Sequence, residues 1–165
     1  GRGSSPSGVI TTASNHICLG NTSITNAHIQ VDWTVASDGR DKTDVENFAA
    51  GLDFVNKMRP VTYRWDKRSS YLEDDITDIL SIVPDGTHKE PKQDVGFISQ
   101  EIEVLEKEIG FSTSTLNQLF CDTTDDGTRM GLKYPRLIPV LVNAIQELSA
   151  KNDTLVARIT TLENA

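Results

Sequence analysis

Ile138-Pro139-Val140-Leu141-Val142-Asn143-Ala144-Ile145-Gln146-Glu147-Leu148-Ser149-Ala150-Lys151-Asn152-Asp153-Thr154-Leu155-Val156-Ala157-Arg158-Ile159-Thr160-Thr161-Leu162 is the stretch that decides the architecture. With Tyr134 ahead of it, the positions 134, 138, 141, 145, 148, 152, 155, 159 and 162 alternate steps of four and three without a break. This is a heptad seam, with Ile138, Ile145, Asn152 and Ile159 at a and Leu141, Leu148, Leu155 and Leu162 at d. The same residues also suit an amphipathic helix lying on its own domain. A 3.5-residue period held over four heptads, however, drifts off a flat face and favours a supercoil. Asn152 in the seam costs stability but fixes register. Isoleucine at a with leucine at d by itself favours two strands. The pattern predicts a long C-terminal coiled-coil helix over 137–165.

Upstream of it, residues 37–136 alternate short helical and strand patterns. Val45, Phe48, Ala49, Leu52, Val55 and Met58 recur at three and four, which predicts a helix from Asp44 to Met58 capped by Asp44 or Thr43 and stopped by Pro60. Val61–Trp65 and Asp94–Ile98 read as strands, and residues 66–93 between them as a long polar excursion turning at Pro84-Asp85-Gly86. Ser99–Gly110 predicts a helix with Ile102, Leu105 and Ile109 on one face and Gly110 as its C-terminal cap. Residues 111–131 read as loops and short strands around an Asp125-Asp126-Gly127 turn. In residues 1–36 the clearest signal is His28–Val35, where Ile29, Val31, Trp33 and Val35 alternate with polar residues. So short a piece buries no core alone, and it reads as the end of a longer β-structured shaft. The expected fold is α+β: a β-shaft end (1–36), a small globular domain (37–136) and the helix (137–165).

Composition narrows the function. The chain has 165 residues, 37% hydrophobic and 24% charged, as expected of an ordinary folded domain with an appendage. A net charge of −8 argues against a nucleic-acid partner, which needs a basic face. No apolar run approaches the ~20 residues of a membrane span, so no membrane partner is expected. Gly1–Gly8 is Gly/Ser-rich and reads as a flexible lead-in. Cys18 and Cys121 are far apart, and His16, His28 and His88 lack ligand spacing; neither a metal nor any other cofactor is expected. Trp33 and Trp65, each on an expected strand, read as packing anchors rather than sugar platforms.

One segment carries chemistry. Ser37-Asp38-Gly39-Arg40-Asp41-Lys42 offers a hydroxyl and an amine five residues apart across a turn. A serine is a poor nucleophile until a base takes its proton. A lysine serves as that base when burial or nearby positive charge pulls its pKa from about 10.4 toward about 7–8. Arg40 offers such charge, and Asp38 and Asp41 oppose it. Taken alone, such a turn is common on protein surfaces.

Four motifs in order give it context: Ser37-Asp38-x-Arg40-x-Lys42; Leu52-Asp53-Phe54-Val55 running on to Arg59-Pro60-Val61-Thr62-Tyr63-Arg64-Trp65; Gly96-Phe97-Ile98-Ser99-Gln100-Glu101; and Tyr134 through Leu137-Ile138-Pro139-Val140-Leu141 to Ala144-Ile145-Gln146-Glu147-Leu148. Together, over roughly residues 37–150, they resemble the S74 peptidase family. These are the intramolecular chaperones at the C-terminus of phage endosialidases, tail fibres and neck appendages, with a relative in the animal myelin regulatory factor. Ser99 departs from the alanine common in the family, and the polar insertion around 69–92 is long. The acidic charge and β-type upstream segment suit the phage setting.

The resemblance implies a homotrimer that assembles the upstream fibre shaft of its own polypeptide and then cuts itself off as a single-turnover serine endopeptidase. It implies Ser37 as nucleophile, Lys42 as general base, Ala36 and Ser37 as the cleavage site, and Asp38 and Arg40 in support. It implies trimerisation through Leu141, Ile145, Leu148, Asn152, Leu155, Ile159 and Leu162, the trimer overriding the two-strand preference. The setting is a virion tail-fibre precursor assembled in the host cytoplasm, its chaperone domain released by the cut. Attack on the preceding carbonyl needs a strained backbone and an oxyanion hole, whose donors the sequence does not identify. The alternative is a non-cleaving adhesin tip that binds a host receptor through the loops at 66–93 and 111–131.

Overall fold

The core of the larger unit forms where three short elements meet the first turns of a long helix. The structure, a computed structural model, describes residues 4–5, 8–9, 24, 26–72, 78–124 and 126–165. In chain order the regular elements are β1 (Ser4–Ser5), β2 (Gly8–Val9), α1 (Leu52–Lys57), β3 (Val61–Tyr63), β4 (Asp94–Gly96), α2 (Ser99–Glu108), β5 (Cys121–Thr123), β6 (Met130–Leu132) and α3 (Ile138–Glu163). All strand pairs are antiparallel: β1 with β2, β3 with β4 and β5 with β6. The described residues of Gly1–Val45 and Asp66–His88 make one unit, and Glu46–Trp65 with Lys89–Ala165 the other. The protein is a small α+β fold ending in a long helix.

In the second unit, Phe54, Ile102, Phe120, Cys121, Leu137 and Val140 form the buried cluster. Phe54 and Phe48 both meet the Phe120 ring, with centroids 5.3 and 6.3 Å away. Burial pushes the Cys121 thiol up to about 12, with the neighbouring Glu106 carboxylate adding to it, so this cysteine is an inert core residue. Cys18 and His16 lie outside the described residues.

The helix at Ser99–Glu108 forms as its periodicity predicts, and its end is a Schellman motif. Phe111 N–H donates to Glu106 O and Gly110 N–H to Lys107 O, at 3.0 Å each, with Gly110 at φ +89. The sequence pattern did not reveal that Glu106 is wholly buried on this helix. Its carboxylate accepts the backbone N–H groups of Leu119, Phe120 and Cys121, the last two at 3.1 Å, and so fastens the chain entering β5 to α2. Glu106→Ala leaves three buried donors unpaired. At about 1 kcal/mol or more each, the expected loss is about 3 kcal/mol, or roughly 6–12 °C in thermal midpoint by circular dichroism. Glu106→Gln, which keeps one acceptor oxygen, is expected to lose less. An unchanged midpoint in Glu106→Ala would mean the tie holds nothing.

Two expected elements are corrected. The helix predicted from Asp44 to Met58 forms only over Leu52–Lys57. Asp44 adopts φ +51, and the carbonyls of Phe48 and Ala50 accept from Asn143 Nδ2 on α3, at 2.7 and 3.0 Å, instead of joining a helical ladder. Neither Asp44 nor Thr43 caps α1; its N-cap is Gly51. The strand expected over His28–Val35 is also absent: residues 26–36 are irregular and exposed, with Ile29, Val31, Trp33 and Val35 open to solvent. A lone strand leaves its ladder groups unpaired, and no neighbour is present for it among the described residues. The strands expected at Val61–Trp65 and Asp94–Ile98 form but stop at Tyr63 and Gly96. Trp65 instead stacks edge-on against Tyr63 and donates from Nε1 to Asp94 Oδ2 at 3.1 Å.

In the first unit the polar excursion is organised by Tyr71. Its hydroxyl lies 2.8 and 2.9 Å from the Asp66 carboxylate oxygens and 3.0 Å from Asp85 Oδ1, and His88 meets its ring edge-on. The turn predicted at Pro84-Asp85-Gly86 is present, with Gly86 at φ +91 donating to Asp66 Oδ2. In the second unit, Asp126 and Gly127 of the turn predicted at 125–127 lie between β5 and β6, residue 125 being outside the described residues. Asp126 Oδ1 there accepts from the Thr124 and Thr128 hydroxyls and Thr128 N–H, contacts that hold its carboxyl down to about 2.

α3 is buried on one side near its start and exposed along its heptad positions. Leu137, just before it, and Val140 and Ala144 are buried against the globular unit. Ile138, Leu141, Ile145, Leu148, Leu155, Ile159 and Leu162 are all 43–75% exposed. At about 100° per residue, the packed stripe borders the d positions, with Ala144 about 40–60° from Leu141 and Leu148, while Ile138 and Ile145 lie farther round. The first turns of the helix lie on its own domain through Leu137, Val140 and Ala144, and the heptad positions beside them are left largely uncovered.

Candidate active site

The dyad segment folds locally. Asp38 is the N-cap of a single 3₁₀ turn, Gly39–Asp41: its Oδ1 accepts Arg40 N–H at 2.9 Å, and Lys42 N–H donates to Gly39 O at 3.3 Å. A 3₁₀ turn takes three residues, so this one returns the chain and sets Lys42 beside Ser37. Lys42 Nζ donates to Ser37 Oγ at 2.7 Å. The two residues singled out for chemistry thus share a hydrogen bond.

Arg40 does not act as a free cation toward Lys42. Its guanidinium forks onto Asp38, with Nε 3.1 and 3.2 Å from the two carboxylate oxygens and Nη2 2.6 Å from Oδ2. The pairing holds the Asp38 carboxyl below the usual carboxylate range and raises the guanidinium in turn. Asp38 and Arg40 therefore balance each other and stiffen the turn. Among the described residues outside glycine, only Asp44 and Ser112 have positive φ, so no left-handed strain sits at Ala36 or Ser37. Residues 36–47 are all exposed, Ser37 and Lys42 included.

The other site residues lie elsewhere. Leu141, Ile145, Leu148, Asn152, Leu155, Ile159 and Leu162 all lie on α3, in the other unit, and are exposed. His28 is exposed, and His88 is engaged with Tyr71. Among the described residues no group of three or more His, Cys, Asp or Glu is placed to hold a metal, and no helix is long and apolar enough to cross a membrane. Glu106, Asn143 and Glu147, which hold loop backbone by long-range contacts, were missed in the sequence. No local pattern separates them from solvated helix residues.

Comparison with known proteins adds one positive finding. The family model described as the chaperone of endosialidase, peptidase S74, matches residues 37–110, beginning on the serine that contacts Lys42. No curated protein matches the chain. Over residues 37–110, the chain is similar to the peptidase S74 family, the chaperones of endosialidase.

Proposed function

We propose that this domain is an intramolecular chaperone of a phage tail fibre or tailspike, which assembles as a trimer and then releases itself by cutting the Ala36–Ser37 bond. The observation that carries the proposal is the Ser37–Lys42 hydrogen bond at the first residue of the family match.

The chemistry is an intramolecular acyl transfer. As the contact stands, the amine donates to the hydroxyl. Once the amine is neutral, the direction reverses and Lys42 Nζ accepts the Ser37 proton. Ser37 Oγ forms a bond to the Ala36 carbonyl carbon, closing a five-membered ring through Cβ, Cα and N. The proton held by Lys42 passes to the Ser37 nitrogen, the C–N bond breaks, and an ester joins Ala36 to the Ser37 side chain. Water hydrolyses the ester, leaving Ala36 as a carboxylate terminus and Ser37 as an amine terminus. In the single chain the dyad is open to water. Burial favours the neutral form of a lysine, which makes assembly a natural trigger for the cut.

Two exposed apolar surfaces support assembly: the α3 seam, and the row Ile29, Val31, Trp33 and Val35 just before the cut. A supercoil covers the first, and strand pairing between copies covers the second. Holding the chains in register lowers the entropic cost of starting an interwoven β shaft. That upstream shaft, together with packing by the globular units, overrides the two-strand preference of the seam.

The test is intact-mass spectrometry and a denaturing gel on concentrated, assembled protein. The expected result is two fragments, the larger starting at Ser37. A chain that stays whole in an assembled sample would instead fit an adhesin tip and end the proposal.

A further inference from the structure

We propose that the contact face of α3 extends past its a and d positions to Val142 and Val156 at e, and that these two valines make the helix fit two parallel neighbours at once, three chains rather than two. This deepens the trimer reading above and rests on it.

The helix carries more apolar surface than a two-chain seam covers. Val142 and Val156 are 45% and 53% exposed, as open as the a and d residues. At about 100° per residue, Val142 lies about 40–60° round from Ile138 and Ile145, and Val156 stands in the same relation to Asn152 and Ile159. Both are on the flank of the seam opposite Ala144. Beyond Ile145, Val156 is the one large apolar residue off the a and d positions of the helix; the others are charged, polar or alanine. The g flank is taken near the start, where Leu137 and Ala144 are buried in the chain's own globular unit, while the e flank stays open.

A helix in a pair faces one neighbour, and a with d suffices. A helix in a closed ring of three faces two neighbours, about 60° apart as seen from its axis, and its contact face widens accordingly. A stripe of a, d and e has the width of a bundle helix rather than of a narrow two-chain seam. The two-strand preference of isoleucine at a with leucine at d belongs to a seam confined to those positions, and the valines extend it.

The polar residues at e and g fit the same arrangement. In parallel chains held in register, e of one helix lies beside g of the next, five residues earlier. That sets Glu163 against Arg158 of a neighbouring copy, a match of opposite charges, and lays the Lys151 stem over Val156 with its ammonium group in water. Along one helix it is residues three and four apart that meet, so the Arg158–Glu163 match is made between chains. Val142, in turn, comes up against the next copy where Leu137 and Ala144 root that copy's helix in its globular unit.

The test is sedimentation equilibrium of the full chain over a concentration series. It compares wild type with Val156→Lys, Val142→Lys/Val156→Lys, Arg158→Glu and Arg158→Glu/Glu163→Arg. At the e position of a pair a lysine reaches water, so the double lysine variant is expected to shift from the mass of three chains to that of two. Val156→Lys alone should raise the concentration of half-assembly about 10-fold or more. Arg158→Glu should raise it about 3–10-fold, and the charge swap should restore it. Both valines are exposed in the single chain, so circular dichroism should find the fold unchanged. If Val142→Lys disturbs the globular unit, Val156→Lys, about three turns beyond Ala144, decides the matter. A wild-type trimer whose variants keep three chains at unchanged affinity would overturn this inference and leave the trimer reading standing. A wild type that assembles in pairs, or not at all, would remove the trimer reading and this inference with it.

Discussion

Ser37→Ala is expected to leave the assembled chain at its full 165 residues under conditions in which wild type is split. The variant removes the only atom placed to attack the Ala36 carbonyl through a five-membered ring, and Ser37 is exposed in the single chain, so folding should be untouched. Lys42→Arg is the sharper companion. Arginine keeps the positive charge but does not act as a base near neutral pH, and position 42 is exposed, so assembly should persist. Loss of a general base costs about 10²–10⁴-fold, and loss of the nucleophile should leave no measurable product. Ser37→Cys retains an attacking atom and should restore some cleavage through a thioester. Intact-mass spectrometry over days separates these cases. A fragment beginning at residue 37 in Ser37→Ala would refute the dyad outright.

The second large effect concerns the helix. Leu148→Lys and Leu155→Lys each place one ammonium group per chain in a layer that the proposed trimer would close. Burying a leucine contributes about 1.5–3 kcal/mol per side chain, and burying unpaired like charges is far more costly. The expected result is a monomer by sedimentation at concentrations where wild type is assembled, and no Ser37 fragment. Leu148 and Leu155 are 56% and 53% exposed in the single chain, so the core built from Phe54, Ile102, Phe120 and Val140 should keep its thermal midpoint. Val140→Lys, on the packed face, should instead unfold the domain. A Leu155→Lys monomer that cleaved as fast as wild type would separate the cut from assembly.

What the sequence disclosed follows the range of the interactions involved. The Ser37–Lys42 contact spans five residues and rests on a capped turn, so a motif sufficed to find it. The helix at Ser99–Glu108 and its cap at Gly110 are equally local. The false extension of α1 back to Asp44 had a distant cause, because Asn143 takes the Phe48 carbonyl from 95 positions away. Glu106 escaped notice since a buried carboxylate satisfied by backbone looks, in sequence, like any solvated helix position. The alternation at His28–Val35 is real, but a strand needs at least two chain segments, and among the described residues no second one pairs with it. On α3 the heptad was conspicuous, whereas Val140 and Ala144, which face the domain, are hidden within the same apolar run.

The rooting of α3 in the globular core has a consequence for what remains after the cut. Leu137, Val140 and Ala144 fasten the helix to residues downstream of Ser37. If the chain is cut at Ala36 as proposed, the helix and the globular unit would therefore depart as one piece and leave the upstream segment without either. An upstream shaft released in that way would keep a shape it no longer had the means to reach. Heated past melting, such a shaft should not re-form on cooling, and its durability would be governed by an unfolding barrier instead of an equilibrium.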